Sequence, residues 1–258
     1  ASLLTSIMGN NDKVALYIKE CRNMNIEILP PDINQSLVNF TVVQGKAIRF
    51  GLAAVKNVGE KAIKAIIEER KRNSNFISFL DFCQRVDLRT VNRRVIESLI
   101  KCGAFDFIGA KRSQLLAVLD VTLKSSQEYQ KSKENGQTSI FDLFENNNVD
   151  KNNSSYQDKL PDISEFSKNE LLVMEKEMLG LYISYHPLND YKEKLKKIIT
   201  CTSIELANLS DRSKVVLAGV ISGVKRKSTK NGNLMAFITL EDLEGTVEII
   251  AFPKIFEK

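Results

Sequence analysis

Apolar residues recur at helical spacing through the first half of the chain and alternate with polar ones near its end. Residues 12–24 place Val14, Ile18 and Cys21 on one face of an amphipathic helix, and Pro30 and Pro31 bar its continuation. Two short strands are predicted at 40–43 and 47–50, joined by a turn at Gln44 and Gly45. Short helices follow. Residues 61–71 bring Ala62, Ile63, Ile66 and Ile67 together, 79–86 form another, and 93–101 present Val95, Ile96, Leu99 and Ile100 before Gly103 stops the chain turning. A further helix covers 111–123.

From 125 to 161 the pattern fades into Ser, Asn, Gln, Lys and Asp, which predicts a flexible linker interrupted by one apolar cluster, Ile140, Phe141, Leu143 and Phe144. Ser167 with Glu170 makes a capping box for a helix through Met178, ended by Gly180. Beyond Lys214 the period changes to two. Strands are predicted at 215–224, 234–240 and 246–252, with hairpins at Asn231-Gly232 and Glu244-Gly245. The expected fold class is multidomain: a mainly α part built on tandem helix–hairpin–helix units, followed by a partial all-β barrel of OB type.

Composition narrows the class. The 258 residues carry 37 Lys and Arg against 32 Asp and Glu, a mild excess whose distribution matters more than its total. Cys21, Cys83, Cys102 and Cys201 show no C-x-x-C pair and read as reduced thiols of a cytoplasmic protein. There is no apolar run of membrane length and no signal peptide, so no membrane partner is expected. The apolar residues at both ends read as parts of a longer protein.

The sharpest local signal is Val55-Lys56-Asn57-Val58-Gly59-Glu60-Lys61, a short helix, a glycine turn and then an Ala/Ile-rich helix. Gly59 lets the backbone approach a phosphate without a Cβ in the way, and the following helix N-terminus offers N–H donors. Lys56, Lys61 and Lys64 add positive charge. A plain αα-hairpin with a glycine turn has the same pattern. A second unit at 79–101, with Arg89 in its turn and Arg93 and Arg94 after it, favours DNA. The span lacks the spacing of a nucleotide-binding G-x-x-x-x-G-K-[ST] loop.

Gln137, Ile140 and Phe141 sit where a partner groove could take an amide and two apolar anchors; the alternative is a hydrophobic foot docked on its own domain. Lys225, Arg226, Lys227 and Lys230 make the first β-hairpin loop basic, which suits single-stranded nucleic acid, whereas Phe237 reads as core. His186 stands without a Cys or carboxylate constellation and reads as structural. No paired carboxylates and no nucleophile–base arrangement are visible, so neither catalytic nor metal-binding residues are assigned.

In order along nearly the whole chain, these residues resemble the alpha subunit of bacterial DNA polymerase III, the C-family replicative polymerases. The stretches concerned are Leu3-Leu4-Thr5-Ser6, Ile28-Leu29-Pro30-Pro31-Asp32-Ile33-Asn34, Arg49-Phe50-Gly51-Leu52, Lys56-Asn57-Val58-Gly59-Glu60, Asn92-Arg93-Arg94-Val95, Gly103-Ala104-Phe105-Asp106, Gly180-Leu181-Tyr182-Ile183, His186-Pro187-Leu188 and 235–253. The resemblance implies the end of a fingers region at 1–50 and a tandem helix–hairpin–helix domain holding duplex DNA at 51–124. It implies a linker at 125–161 whose Gln137, Ile140 and Phe141 bind the sliding clamp (beta subunit). A helical connector at 162–211 and a truncated OB domain near single-stranded template at 212–258 complete the arrangement. The family's catalytic aspartates, and the Mg2+ expected for the parent, belong to regions outside this chain, as do contacts with other replisome subunits. The competing readings are a stand-alone, non-enzymatic DNA-binding adaptor and an RNA-binding module built on the OB strands.

Overall fold

A computed structural model describes residues 1–43, 45–134, 160–229 and 231–256. They divide into two compact units, Ala1–Ser184 and Tyr185–Lys258.

The first unit opens with helices α1 (Ser2–Ser6) and α2 (Asn11–Asn23), the latter capped by Asn10, whose side chain accepts from Lys13 N–H. The predicted strand pair is present as β2 (Thr41–Val43) and β3 (Ala47–Arg49), antiparallel. A strand not expected from the sequence, β1 (Glu27–Leu29), runs parallel to β3 with Ile28 opposite Ile48. Three residues are too few to show a period of two, and β1 exists because Ile28 joins Phe40, Ile48 and Phe50 in the core. Gly51 follows where no side chain fits, since a Cβ would stand 2.5 Å from the carbonyl carbon of Asn39.

Helices α3 (Glu60–Asn73), α4 (Phe79–Arg85) and α5 (Arg93–Lys101) lie close to their predicted bounds. Phe76, Phe79, Phe82 and Phe105 meet edge to face with ring centroids 4.9–5.3 Å apart. Arg70, buried on α3, donates to the carbonyls of Ile33 at 2.6 Å and Ser36 at 2.7 Å and so welds the strand connections to the helices. Cys83 and Cys102 are buried, and burial pushes the Cys102 thiol up to about 12.

Helix α6 corrects a boundary. It spans Arg112–Glu134, running past residue 124 into the stretch expected to be linker. Leu115, Leu119 and Leu123 continue on the same face through the fully buried Ser126 to Gln130. The Gln130 amide donates to the carbonyls of Cys83, Gln84 and Val86 at 2.9–3.2 Å, satisfying the end of α4. Two polar residues on the packed face hid this helix from a reading by hydrophobicity. Residues 160–166 then lie along the start of α6. Gln114 donates to Pro161 O, Lys111 to Ile163 O and Ser113 to Ser164 O, while the Glu165 carboxylate accepts from the N–H groups of Arg112 and Ser113 at 2.7 and 3.0 Å. Helix α7 (Lys168–Leu179) has the predicted Ser167–Glu170 capping box and ends on Gly180 at φ +79°. Met178, Leu179, Leu181 and Ile183 enter the same core as α3–α6.

In the second unit, His186 Nδ1 accepts from Leu188 N–H and caps the 3-10 turn Pro187–Tyr191, the structural role expected of it; helix α8 (Lys192–Leu195) follows. Strands β4 (Val220–Ser228), β5 (Leu234–Glu241) and β6 (Thr246–Ala251) form an antiparallel meander, and α9 (Pro253–Phe256) follows β6. The first strand therefore begins later than the predicted 215. Val216 instead bonds to Thr200, and β4 runs on past a bulge between Ile221 and Gly223 as far as the Ser228–Leu234 pair.

Candidate nucleic-acid interface

The first hairpin begins with a 3-10 turn, Leu52–Ala54, rather than a full short helix. Val55 and Val58 are buried on either side of Lys56 and Asn57 and peg the turn to the core. The left-handed position is Asn57, at φ +66°, not Gly59. Gly59 has φ −78° and ψ 157°, a conformation open to any residue, and a Cβ there would meet nothing within 4 Å. Neither backbone strain nor internal packing requires glycine at this position. What its missing side chain does is leave the start of α3 approachable from solvent.

That helix start carries no side-chain cap, and the first N–H groups of any helix lack an intrahelical partner and lie at the positive end of its dipole. Lys56 and Lys61 are exposed beside it. Lys64 pairs with Glu60 at 2.7 Å, and this hydrogen-bonded ammonium holds the exposed Glu60 carboxyl below its ordinary range. The lysine thus offsets the Glu60 carboxylate in the first turn of α3. Two of the predicted contact residues have inward roles: the Val58 side chain is core, and Asn57 Nδ2 donates to Ser98 Oγ at 3.1 Å.

The second hairpin is built differently. Asp87 folds its own turn by accepting from Arg89 N–H and Thr90 Oγ1, and Asn92 caps α5 by accepting from Val95 N–H. The donors at the start of α5 are therefore partly used. Arg93 is committed to Asp120 at 2.6 Å and Glu97 at 2.7 Å, whereas Arg89 and Arg94 are exposed. Exposed ion pairs of this kind contribute only about 0–1 kcal/mol, so a phosphate can compete for Arg93.

The basic residues of the second unit are relocated. Lys225, Arg226 and Lys227 lie on strand β4, opposite Phe237, Ala236 and Met235, and not in the hairpin loop, because the ladder extends to Ser228. Alternation puts Lys225, Lys227, Met235, Phe237 and Ile250 on one face, opposite the face of Val224, Ile238 and Ile249. Phe237, expected in the core, is only half-buried. Lys230 and the proposed anchors Gln137, Ile140 and Phe141 lie outside the described residues.

Among the described residues no group of three or more His, Cys, Asp or Glu side chains could hold a metal ion. No helix among them is long and apolar enough to cross a membrane.

Comparison with known proteins agrees with the geometry. The family described as a helix-hairpin-helix motif matches residues 25–115, the region holding both hairpins. The chain is 38% identical over 262 residues to a DNA polymerase III subunit alpha of Saccharopolyspora erythraea, covering all of this chain and 22% of that protein. It is 40% identical over 261 residues to that of Thermus aquaticus and 33% over 258 to that of Vibrio cholerae, covering 20% and 22% of them and again all of this chain. The chain thus spans about a fifth of the length of the curated relatives it matches. From end to end, it belongs to the DNA polymerase III alpha subunit family.

Proposed function

We propose that this stretch holds duplex DNA through its phosphates, within a protein that performs template-directed DNA synthesis, and that it also engages the sliding clamp. The observation carrying the duplex reading is the start of α3 at Gly59, which has no side-chain cap and where neither a left-handed φ nor close packing calls for glycine. Donors on a backbone, a helix dipole and two lysines recognise phosphate and not base edges, so binding is sequence-independent and salt-sensitive. Lys56→Ala with Lys61→Ala in the full-length protein should weaken binding equally for all duplex sequences. It should also reduce the salt slope by about 1–2 units, on the scale of about 0.9 per neutralised phosphate. An unchanged slope would show the turn to be structural only.

The clamp reading rests on Gln137, Ile140 and Phe141 and on the family resemblance. Changing all three to Ala should abolish clamp pull-down and leave duplex affinity unaltered; retained pull-down refutes it. The strand face of Lys225, Lys227 and Phe237 supports a further role on single-stranded DNA, as in OB domains, since a half-buried ring flanked by ammonium groups suits base stacking. A stand-alone adaptor is the weaker alternative, given relatives that are about five times longer.

A further inference from the structure

The turn carrying Lys56 and Gly59 is held from two distant parts of the sequence. Lys56 N–H donates to Met178 O in the last turn of α7 at 2.8 Å, and Asn57 Nδ2 donates to Ser98 Oγ on α5 at 3.1 Å. Between these tethers Asn57 occupies the left-handed region, which asparagine tolerates better than most residues. Ser98 is 3% exposed, so it does not reach a ligand.

We infer that Asn57 and Ser98 form a positioning pair that aims the start of α3 at phosphate: Asn57 ties the turn to α5 through the Ser98 hydroxyl and does not itself bind the DNA. This inference rests on the duplex-binding reading. Its physical basis is leverage. Asn57 precedes Gly59 by two residues, so a change in its dihedral angles swings the peptide planes leading into α3. N–H donors must sit about 2.9 Å from a phosphate oxygen to be useful, and a turn already fixed in that geometry binds without an ordering cost. The pair also joins the first hairpin to the main helix of the second, so that two phosphate-facing elements keep a set spacing.

A bond that merely stabilised the fold would behave otherwise under substitution. Ser98→Ala leaves a good helix former in α5, and water replaces the lost partner of the exposed Asn57 amide. Asn57→Gly keeps the left-handed turn and removes only the amide. In the full-length protein each should weaken duplex affinity about fivefold, the scale of fixing the backbone of one residue on binding. The thermal midpoint and salt slope should stay at the wild-type values, and the double variant should bind no worse than either single one. Loss on Asn57→Gly without loss on Ser98→Ala would mean that Asn57 meets the DNA directly, which overturns the inference. Multiplying losses in the double variant, or a midpoint that falls with affinity, also overturn it. Lys56→Ala with Lys61→Ala serves as the control. If that pair weakens binding and Ser98→Ala does not, the inference alone fails; if neither does, the duplex reading fails and takes the inference with it.

Discussion

Arg85 shows how one side chain can decide local structure. Its guanidinium bonds Glu69 at 3.0 Å and Asp81 at 2.9 Å, donates to the carbonyls of Asn73 and Ser74 at 3.1 and 2.8 Å, and lies 4.5 Å from the Phe76 ring. It thereby closes the end of α3 and the middle of α4 at once. Burial opposes ionisation of Glu69, but hydrogen bonds from Asn73 and Arg85 outweigh it and hold the carboxyl below its ordinary range. Arg85→Ala strands two largely buried carboxylates and should lower unfolding free energy by about 3 kcal/mol in urea titrations. Arg85→Lys should recover less than half, because an ammonium lacks the planar fork that reaches these oxygens together. None of this was legible in sequence, where Arg85 is one basic residue among many. The exposed lysines and Gly59 were legible, since a glycine turn before an apolar helix is a local pattern. The side-chain partners of Asn57 and Arg93 were not, because Ser98 and Asp120 are distant in sequence.

Among the elements, the helices with regular apolar stripes, α3 and α5, could be read within a few residues, and α6 could be read only while leucines marked it. Its second half packs through Ser126 and Gln130, and the register of β4 depends on a bulge that no composition reveals. The junction of residues 160–166 with α6 is also invisible in sequence. There, burial works against ionisation of Glu165, yet N–H donors from Ser113, Phe166 and Arg112 prevail and keep its carboxyl below the usual range. A depressed carboxyl contributes stability that is present above its unfolded pKa, near 4.3, and is lost as pH falls through the folded value. Glu165→Gln should therefore cost about 1 kcal/mol at pH 7, measured by denaturant unfolding, with the difference from wild type shrinking as pH falls below about 4. A pH-independent difference would mean that the carboxylate charge is not what holds the junction.

At the scale of the whole molecule, the first compact unit closes at Ser184, later than the expected end of the hairpin domain at 124. The reason is that α7 and the residues after it complete the core: Met178, Leu179, Leu181 and Ile183 are buried with α3–α6. Arg22 of α2 and Glu175 of α7 also fix this last stretch, through the carbonyls of Tyr182 and Ile183 and the N–H and hydroxyl groups of Ser184. A piece ending at residue 134 should accordingly melt broadly and at lower temperature, whereas one ending at 184 should give a single cooperative transition in calorimetry. Equal transitions would show that α7 is dispensable. The second unit follows the predicted order of strands. The open position at Gly59 has a consequence for genetics. Because its backbone angles and surroundings leave room for a side chain, Gly59→Ser and Gly59→Asp, which can cap α3, should be silent in protein abundance and harmful in growth. Residue 59 would then report selection for the ligand alone, separated from selection for the fold.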